Sequence, residues 1–545
     1  MSMEPEALIK RAETAERKRD SFASLMRDCY RYAMPERDAW NSYGYGQDKR
    51  SEVYDSTAML STARFATRLC NALFPPGQRW AKLTLPPDAQ ETDDTKTLRE
   101  QLEALTAILF DHIHVSNFDP AMHEAAHDLA AGVSAVLIEN GRLAAGRNHG
   151  PLLRFTSVPA AMVAFDEGPY GVIEGVFYSQ RIAARNIKRH YPDAKDLPRA
   201  IEEKIRTAPE DEIALLQCTT YDDKESKWCF QVLLRDEKTE LVKRYYRTNP
   251  WIITRWMKAP GESYGRGPLT MALPDIRTLN KLRELALISA SFAVTPMWTV
   301  TDDGVINADA IRIEPNAIIP VRSNGGPMGQ SLKAVEMPAR FDIAQMLEAD
   351  LRTTIRQIMF DNPLPPEVQV GLTATEVIER VRQFQSDTGA FGRLETDAVR
   401  PTVARCIDIL EEAGQFAAPE FKGVMEALLQ NLLRVQTTSP LAQAQGRADV
   451  QAVMQFTMGL TSLGDMGAAM AQSGIDPMKA GRWLAQHSGV PAKLIPNEEE
   501  LKDEADESQQ NAQMMGLMQS PVMAQVAGQV AKAATTPPPQ PEPMI

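Results

Sequence analysis

A short glycine- and proline-rich segment, residues 256–268, constrains the fold of this chain more than any other feature. It reads WMKAPGESYGRGP and directly precedes a long helical pattern. Glycine reaches backbone angles that are closed to other residues, and each proline removes an amide donor. The segment is therefore predicted to be a shaped loop with no sheet ladder of its own. An ordinary loop before a helix would account for the same spacing.

The helix after this loop is predicted to begin at Asp275, whose side chain can cap the first turn. Apolar residues then recur at steps of three and four, as on one buried helix face, until Pro296 ends the run. This face consists of Ile276, Leu279, Leu282, Leu285, Ala286 and Ile288.

Length and composition predict a large protein with more than one structural unit. The chain has 545 residues, beyond the size at which a single core keeps growing, and 43% of them are apolar. No run of about 18 apolar residues could span a bilayer, and the charged N-terminus lacks a secretion signal, so we expect neither membrane anchor nor export. The five cysteines are odd in number and scattered, which is typical of reduced cytoplasmic thiols.

The formal net charge of −13 argues against a protein that reads DNA sequence. Such proteins usually present a basic patch, because tight phosphate contacts need lysine and arginine. A conduit through which duplex DNA slides has no such need, because strong phosphate contacts would hold the DNA at each step. The acidic charge therefore argues against a protein that reads DNA sequence, but it is compatible with a protein that forms a channel for DNA.

The periodicity predicts an α+β fold that is mainly helical. Helical spacing is found over residues 5–40, 56–73, 97–114 and 120–138. Residues 152–177 and 215–247 are rich in β-branched and aromatic residues, with turn signals between them, and predict strands. Short apolar runs at 297–300, 310–313 and 317–321 predict a small β insertion. A second helix follows it, with one apolar face at Phe341, Ala344, Leu347, Leu351, Ile355 and Ile358.

A proline-rich stretch after the second helix, residues 361–366, reads DNPLPP and is predicted to be an extended loop. Thr373 and Glu376 then fit a capping box that starts a long helix, which Gly389, Gly392 and Pro401 can bend and which runs to residue 414. Beyond residue 419 the chain is again helical in pattern. From residue 498 it is acidic and then Gln-, Met- and Pro-rich, and cannot bury enough apolar surface to fix a fold.

One motif favours a different class of protein, a zinc-dependent hydrolase. Residues 123–127 read HEAAH, which places His123 and His127 on one helix face with Glu124 as a general base. The extended form of the motif would need glycine at Ala130 and histidine at Val133. A zinc hydrolase would bind a stoichiometric metal ion and would lose it in the variant His123→Ala. The alternative is that the motif lies on a helix that only packs in the body of the protein. A third ligand would come from Glu139, Glu167 or Glu174.

Other catalytic signatures are missing from the sequence. There is no Gly-Lys pair to form a phosphate-binding loop, no dinucleotide fingerprint and no Gly-x-Ser-x-Gly nucleophile elbow. We therefore expect no enzyme, no cofactor and no resident metal.

Four blocks carry a family resemblance when they are taken together and in order. They are residues 50–58 followed by 73–80, residues 261–268, residues 371–377 and residues 389–401, and they span roughly residues 10 to 415. In this order they resemble the portal (head-to-tail connector) proteins of short-tailed, podovirus-type tailed bacteriophages. The C-terminal quarter of the chain carries no such signature.

The resemblance implies a portal fold with a wing, a helical stem, a small β-containing clip and a helical crown, assembled as a ring. The implied boundaries follow the chain: a mixed α/β wing (1–270), the first stem helix (271–295), the clip (296–338), the second stem helix (339–360), the channel loop (361–372), a long bent wing helix (373–415), the crown (416–497), and a flexible tail or helical barrel (498–545).

The resemblance also implies a function and partners. A ring, a homododecamer in this family, would form the channel at one capsid vertex through which double-stranded DNA passes without sequence specificity during packaging and ejection. The implied partners are scaffolding protein, major capsid protein, the terminase large subunit and a tail adaptor. The protein would assemble in the host cytoplasm and remain in the virion, away from membranes. An adaptor or scaffold that works as a monomer or dimer is a third class.

Two groups of residues are assigned to these roles by the resemblance. The channel loop would contact DNA through Arg356, Pro365, Val368, Gln369 and Val370. The clip would contact the terminase and then the adaptor through Trp298, Asp302, Asp303 and Arg312.

Overall fold

A computed structural model describes residues 4–41, 46–85, 93–144, 150–194, 197–294, 298–300, 332–334, 341–361, 391–421, 423–424 and 434–438. The chain divides into two compact units. The first contains Met1–Lys82, Ala107–Ala417 and Val435–Ala444, and the second Leu83–Thr106, Ala418–Arg434 and Gln445–Ile545. In the second unit, the Thr106 hydroxyl accepts a hydrogen bond from the Leu83 amide (3.3 Å) and donates one to the Leu102 carbonyl (2.7 Å).

Helices make up about half of the fold. They are α1 (Pro5–Asp20), α2 (Ala23–Ala33), α3 (Thr57–Leu73), α4 (Asp93–Val115), α5 (Phe118–Ala131), α6 (Gly141–Ala144), α7 (Ile187–His190), α8 (Arg199–Thr207), α9 (Pro268–Val294), α10 (Phe341–Ile358), α11 (Phe391–Leu394) and α12 (Arg400–Glu412). The predicted helices near the N-terminus are confirmed as α1, α2 and α3. The two long helices, α9 and α10, pack against each other, and α10 also packs against α3.

The strands are β1 (Ala81–Thr84), β2 (Val133–Asn140), β3 (Leu153–Val158), β4 (Val163–Glu167), β5 (Ile173–Ala183), β6 (Glu212–Asp222), β7 (Lys227–Leu234), β8 (Thr239–Tyr246), β9 (Trp251–Arg255), β10 (Met257–Lys258), β11 (Gly265–Arg266), β12 (Trp298–Val300), β13 (Leu332–Ala334) and β14 (Arg434–Thr437). An antiparallel five-stranded sheet has the order β4-β5-β6-β7-β8, and a three-stranded sheet the order β3-β2-β9. The predicted α+β class is therefore confirmed.

The five-stranded sheet is buried on both faces. Alternate side chains of β6 point to opposite faces, so Leu215 joins a cluster with Ile187 of α7 and Ile201 of α8. Its neighbour Leu216 joins the other cluster, which is built on Leu8 of α1. Covering both faces explains why these strands are continuous in their apolar character rather than alternating.

The predicted helix over residues 120–138 is wrong in its second half. Helix α5 ends at Ala131, and Gly132 has a φ of 129°, which favours glycine and ends the helix. The chain continues as β2, whose first six residues are buried between β3 and β9. The apolar run was therefore a central strand, which periodicity alone does not separate from a buried helix.

The segment 256–268 is a short hairpin rather than a loop without a ladder. Strand β10 pairs antiparallel with β11, with Met257 opposite Arg266 and Lys258 opposite Gly265. Helix α9 then begins at Pro268 and not at Asp275. Proline is tolerated in the first turn, where its missing amide has no helical partner, and the helix continues through Pro274.

The described C-terminal part of the long bent helix agrees with the prediction. A π-helical turn, Glu395–Val399, separates α11 from α12 and lies just before Pro401, which removes an amide donor from the ladder. Gly414 has a φ of 74° two residues after α12 ends. Residues 362–390, including Thr373 and Gly389, lie outside the described residues, as do most of the implied crown and the tail.

The predicted β insertion is described only at its two ends. Strand β12 confirms the run at 297–300 and pairs antiparallel with β13, with Trp298 opposite Ala334. The runs at 310–313 and 317–321 lie outside the described residues. All five cysteines are free thiols, and Cys29, Cys218, Cys229 and Cys406 are buried. No helix in the described ranges is both long and apolar enough to cross a membrane.

Candidate functional site

The glycines of the hairpin before α9 are required by a direct backbone contact with the end of α5. The Trp256 amide donates to the Gly132 carbonyl (2.9 Å), and the Gly267 amide donates to the Ala131 carbonyl (3.3 Å). A Cβ atom at Gly267 would lie 2.1 Å from the Ala130 carbonyl oxygen, and one at Gly265 would lie 2.4 Å from the Gly132 oxygen. We call Gly132, Gly265 and Gly267 the glycine contact. It attaches the start of α9 to the central sheet.

The side chain of Asn280, on the helix that follows residues 261–268, binds the first of the sequence blocks that carry the resemblance, residues 50–58. Its Oδ1 accepts hydrogen bonds from the amides of Tyr54 (2.8 Å) and Asp55 (3.3 Å), and its Nδ2 donates to the Glu52 carbonyl (2.9 Å). Asn280 lies on α9 and is 8% exposed. A side-chain amide can donate and accept hydrogen bonds at once. Asn280 therefore pairs two backbone amides and one backbone carbonyl of the non-helical residues 52–55.

Charged side chains connect α9 and α10 to each other and to Asp55, two residues before α3. Arg352 of α10 binds the Asp55 carboxylate at 2.8 Å and the Glu348 carboxylate at 3.1 Å, while Arg283 of α9 lies 3.4 Å from Glu348. We call these four residues the helix-pair network. Burial opposes ionisation of Asp55, but hydrogen bonds from Thr57 and Arg352 outweigh it and lower its pKa.

A second buried carboxylate, Asp361, lies just beyond the end of α10. It is 1% exposed and accepts a hydrogen bond from the Ser61 hydroxyl (3.1 Å). Arg64 lies 3.1 Å and Arg68 3.4 Å from its oxygens, and Arg68 also donates to the Phe360 carbonyl. We call Ser61, Arg64, Arg68, Phe360 and Asp361 the Asp361 clamp. A buried charge of this kind is retained only when it is paired and hydrogen-bonded.

The chain leaves α10 through a left-handed turn at Phe360, whose φ is 55°. The Asp361 amide donates to the Arg356 carbonyl (2.7 Å) and the Phe360 amide to the Gln357 carbonyl (3.0 Å), which is the Schellman pattern of helix ends. Glycine usually occupies this position, because a side chain there costs about 1 kcal/mol or more. The Phe360 ring offsets that cost by packing against the rings of Phe65 and Trp256, with ring centroids 6.4 Å and 6.1 Å apart.

Most of the predicted channel and clip residues are not placed by the structure. Arg356 is half-buried on α10, and its guanidinium forms no hydrogen bond or ion pair with any residue that the structure describes. Trp298 lies in β12. The remaining predicted residues lie outside the described residues: Asp302, Asp303, Arg312, Pro365, Val368, Gln369 and Val370. The roles given to all nine residues stay predictions.

The histidines of the HEAAH motif lie on one face of α5, where a ring nitrogen of each lies within hydrogen-bond distance of a protein oxygen. Their ring centroids are 4.8 Å apart; His127 Nδ1 is 2.9 Å from the His123 carbonyl, and His123 Nε2 is 3.2 Å from the Thr67 hydroxyl. Burial and the nearby His127 lower the pKa of His123. Glu124, the candidate base, is paired with Arg37 at 3.1 Å.

The candidate third ligands are not gathered around these histidines. Glu167 is paired with Arg255 and Lys258, and Glu139 lies on β2, where burial raises its pKa. Within the part of the chain that the structure describes, no group of three His, Cys, Asp or Glu side chains could hold a metal ion. The helix instead packs against α3 and β2, and its buried Asp128 accepts hydrogen bonds from Tyr30 (2.8 Å) and Arg37.

The sequence patterns missed the residues that make up the helix-pair network and the Asp361 clamp. Arg64 and Arg68 are four residues apart on α3, a spacing that places two guanidinium groups on one helix face and was the available signal. Nothing in the sequence indicated their partner, which lies about 300 residues further along the chain.

Two sequence comparisons cover nearly the whole length of the chain. The family model described as bacteriophage head to tail connecting protein matches residues 5–495. A relative named "Probable portal protein", from Bordetella phage BPP-1, is 22% identical over 549 residues, which cover 94% of this chain and 93% of that protein. Among solved structures, a chain of the virion of a native gene transfer agent particle is similar over 79% of this chain and 89% of its own, with 11% identity and a TM-score of 0.31. This chain therefore belongs to the family of bacteriophage head to tail connecting proteins.

Proposed function

We propose that this protein is the portal subunit of a tailed bacteriophage, forming a ring-shaped channel at one capsid vertex. The observation that carries the proposal is the family match over residues 5–495. The Bordetella phage relative, which is named a probable portal protein and is covered over 93% of its length, supports the same role. Connector proteins are structural, and the protein acts here as a conduit and not as an enzyme.

The two long helices support assembly with further copies, because they expose apolar side chains that a single chain leaves in water. Met346 of α10 is 78% exposed, and Leu347 beside it is 49% exposed. On α9, Leu285 is 49% and Ile288 is 44% exposed. Exposed apolar side chains on two helices that pack against each other mark a candidate surface for another chain. In a closed ring, two different faces meet at every subunit boundary, so this face would be covered by a neighbouring copy.

Each segment of the chain would have its own role in this ring. Residues 1–270 and 373–415 would form the wing, α9 and α10 the stem, residues 296–338 the clip, residues 361–372 the channel loop, and residues 416–497 the crown. Copies of the chain would form a homododecamer that assembles with scaffolding protein and major capsid protein. The clip would dock the terminase large subunit and later the tail adaptor, and double-stranded DNA would pass through the channel. A separate ATPase would supply the work.

Charging the exposed apolar face of the two long helices should prevent ring formation while leaving each subunit folded. We expect the double variant Leu285→Asp, Met346→Asp to remain soluble and helical, because both side chains are already in water in the single chain. In an assembled ring, the two new carboxylates of each subunit would instead be buried without partners, which is unfavourable by several kcal/mol per site. Size-exclusion chromatography with light scattering, followed by negative-stain electron microscopy, measures the loss of rings.

The matched control is Gln357→Asp, which adds one carboxylate at an exposed polar position of α10. This variant should form rings as the unchanged protein does. Rings of normal size from the double variant would contradict the placement of the apolar face between subunits. A monomer or dimer from the unchanged protein would favour an adaptor or scaffold instead.

A further inference from the structure

The Asp361 clamp lies just past the end of α10. Asp361 is three residues beyond Ile358, the last residue of this helix, and its carboxylate is 1% exposed. Its three side-chain partners, Ser61, Arg64 and Arg68, all belong to α3. One helix of the body therefore holds the residue at which the chain departs from α10.

The backbone at this point is held in an unusual conformation. Phe360 has a φ of 55°, a region that side chains other than glycine rarely adopt. The conformation is maintained from three sides: by the helix-end hydrogen bonds from the amides of Phe360 and Asp361, by the donor from Arg68, and by the rings of Phe65 and Trp256. Strained backbone persists only where its surroundings determine it, and such places are enriched at working parts of proteins.

Helix α3 and the residues just before it hold the last turns of α10 at two separate places. Two residues before α3 begins, Asp55 binds Arg352, six residues before the end of α10. Further along, the Asp361 clamp binds the residue three positions after that end. Both attachments use carboxylates paired with guanidinium groups, whose fixed geometry sets an orientation as well as a distance. The direction in which the chain leaves α10 is thus determined by α3.

We propose that the Asp361 clamp is the positioning anchor of the channel loop, holding its first residue against α3 while DNA moves past. This inference rests on the proposed function, in which residues 361–372 line the channel. A loop that contacts a moving duplex transmits the force on it to its attachment points. Asp361 and its α3 partners are positioning residues that keep this attachment fixed, and they need not contact DNA.

The test compares Asp361→Asn with the matched control Asp350→Asn, which makes the same substitution at an exposed position of α10. Both proteins are prepared as the full chain and checked for rings by electron microscopy. Amide hydrogen exchange is then measured on the rings, and DNA-filled heads are counted after packaging. We expect Asp361→Asn to form rings, to exchange the amides of residues 361–372 about tenfold faster, and to yield about tenfold fewer filled heads. Asp350→Asn should change neither quantity.

A second variant covers the case in which Asp361→Asn fails to fold. Arg64→Gln removes one donor whose side chain is 55% exposed, so the carboxylate keeps Ser61 and Arg68. It should accelerate exchange in the same residues to a smaller extent, with rings intact.

The outcomes separate the anchor from the channel. Unchanged exchange and normal packaging in Asp361→Asn rings would overturn the anchor. Exchange that rises throughout α3 and α10, with loss of rings, would also overturn it and make Asp361 a residue of general stability. Faster exchange confined to residues 361–372 with normal packaging would support the anchor and contradict the assignment of this segment to the channel.

Discussion

Replacing Gly267 with alanine is expected to destabilise the folded subunit strongly. The added Cβ would lie 2.1 Å from the Ala130 carbonyl oxygen and 2.6 Å from the Gly132 amide nitrogen. These are backbone atoms at the C-terminal end of α5 and immediately before β2, so neither can move aside as a flexible side chain would. Displacing them also breaks the hydrogen bond from the Gly267 amide to Ala131. We expect a loss of at least about 3 kcal/mol of stability.

Gly261→Ala is the matched control in the same hairpin. Gly261 has a φ of 80° but nothing lies within 4 Å of its added Cβ, so only the backbone angle is unfavourable, at a cost of about 1 kcal/mol. Soluble yield and the thermal unfolding midpoint measure the difference, with Gly267→Ala lower by about 5 °C or more. Equal behaviour of the two variants would show that the close backbone contact does not exist in the folded protein.

Deleting residues 365–370 should abolish DNA packaging or retention while rings still assemble. The channel loop would contact DNA under the proposed function, whereas the helix-pair network and the glycine contact hold the body of the subunit without it. The Asp361 clamp is also left intact by this deletion. We expect normal rings and about a hundredfold or more fewer DNA-filled heads. The reason is that the deletion removes only the segment that is proposed to contact DNA in the channel.

Two controls accompany the deletion. Replacing residues 365–370 with six Gly and Ser residues keeps the length of the loop but removes its prolines and apolar side chains. Deleting residues 540–545 removes the same number of residues from the C-terminus and should leave packaging unchanged. Failure of the 365–370 deletion to assemble would reassign the loop to a structural role, and full packaging would exclude it from the DNA path.

The sequence predicted those elements whose pattern is local. The apolar periodicity of α1, α3 and α10 was sufficient to place these helices. Helices α1 and α3 each bury one face, whereas α10 keeps the spacing although Leu347 of its apolar face is exposed. Strand β2 was missed because it is buried on both faces, and its unbroken apolar run also fits a helix. The start of α9 was misplaced because Asp275 offered a good cap, whereas Pro268 begins the helix where the glycine contact fixes the chain.

The candidate site was predicted as a set of motifs but not as a set of contacts. The glycines of residues 261–268 were recognised, yet the reason for them is the backbone of Ala130 and Gly132, which no local pattern names. Asn280 binds the amide of Tyr54, 226 residues away in the chain. Such partners are chosen by the packing of whole helices, so the sequence shows the residue types without showing which of them meet.

The most direct test of the portal assignment is to image the purified full-length protein by electron microscopy and determine the symmetry of its particles. We predict rings with a central opening wide enough for duplex DNA, about 20 Å or more, and with one rotational symmetry throughout. A uniform population of monomers or dimers at every salt concentration tested would contradict the account.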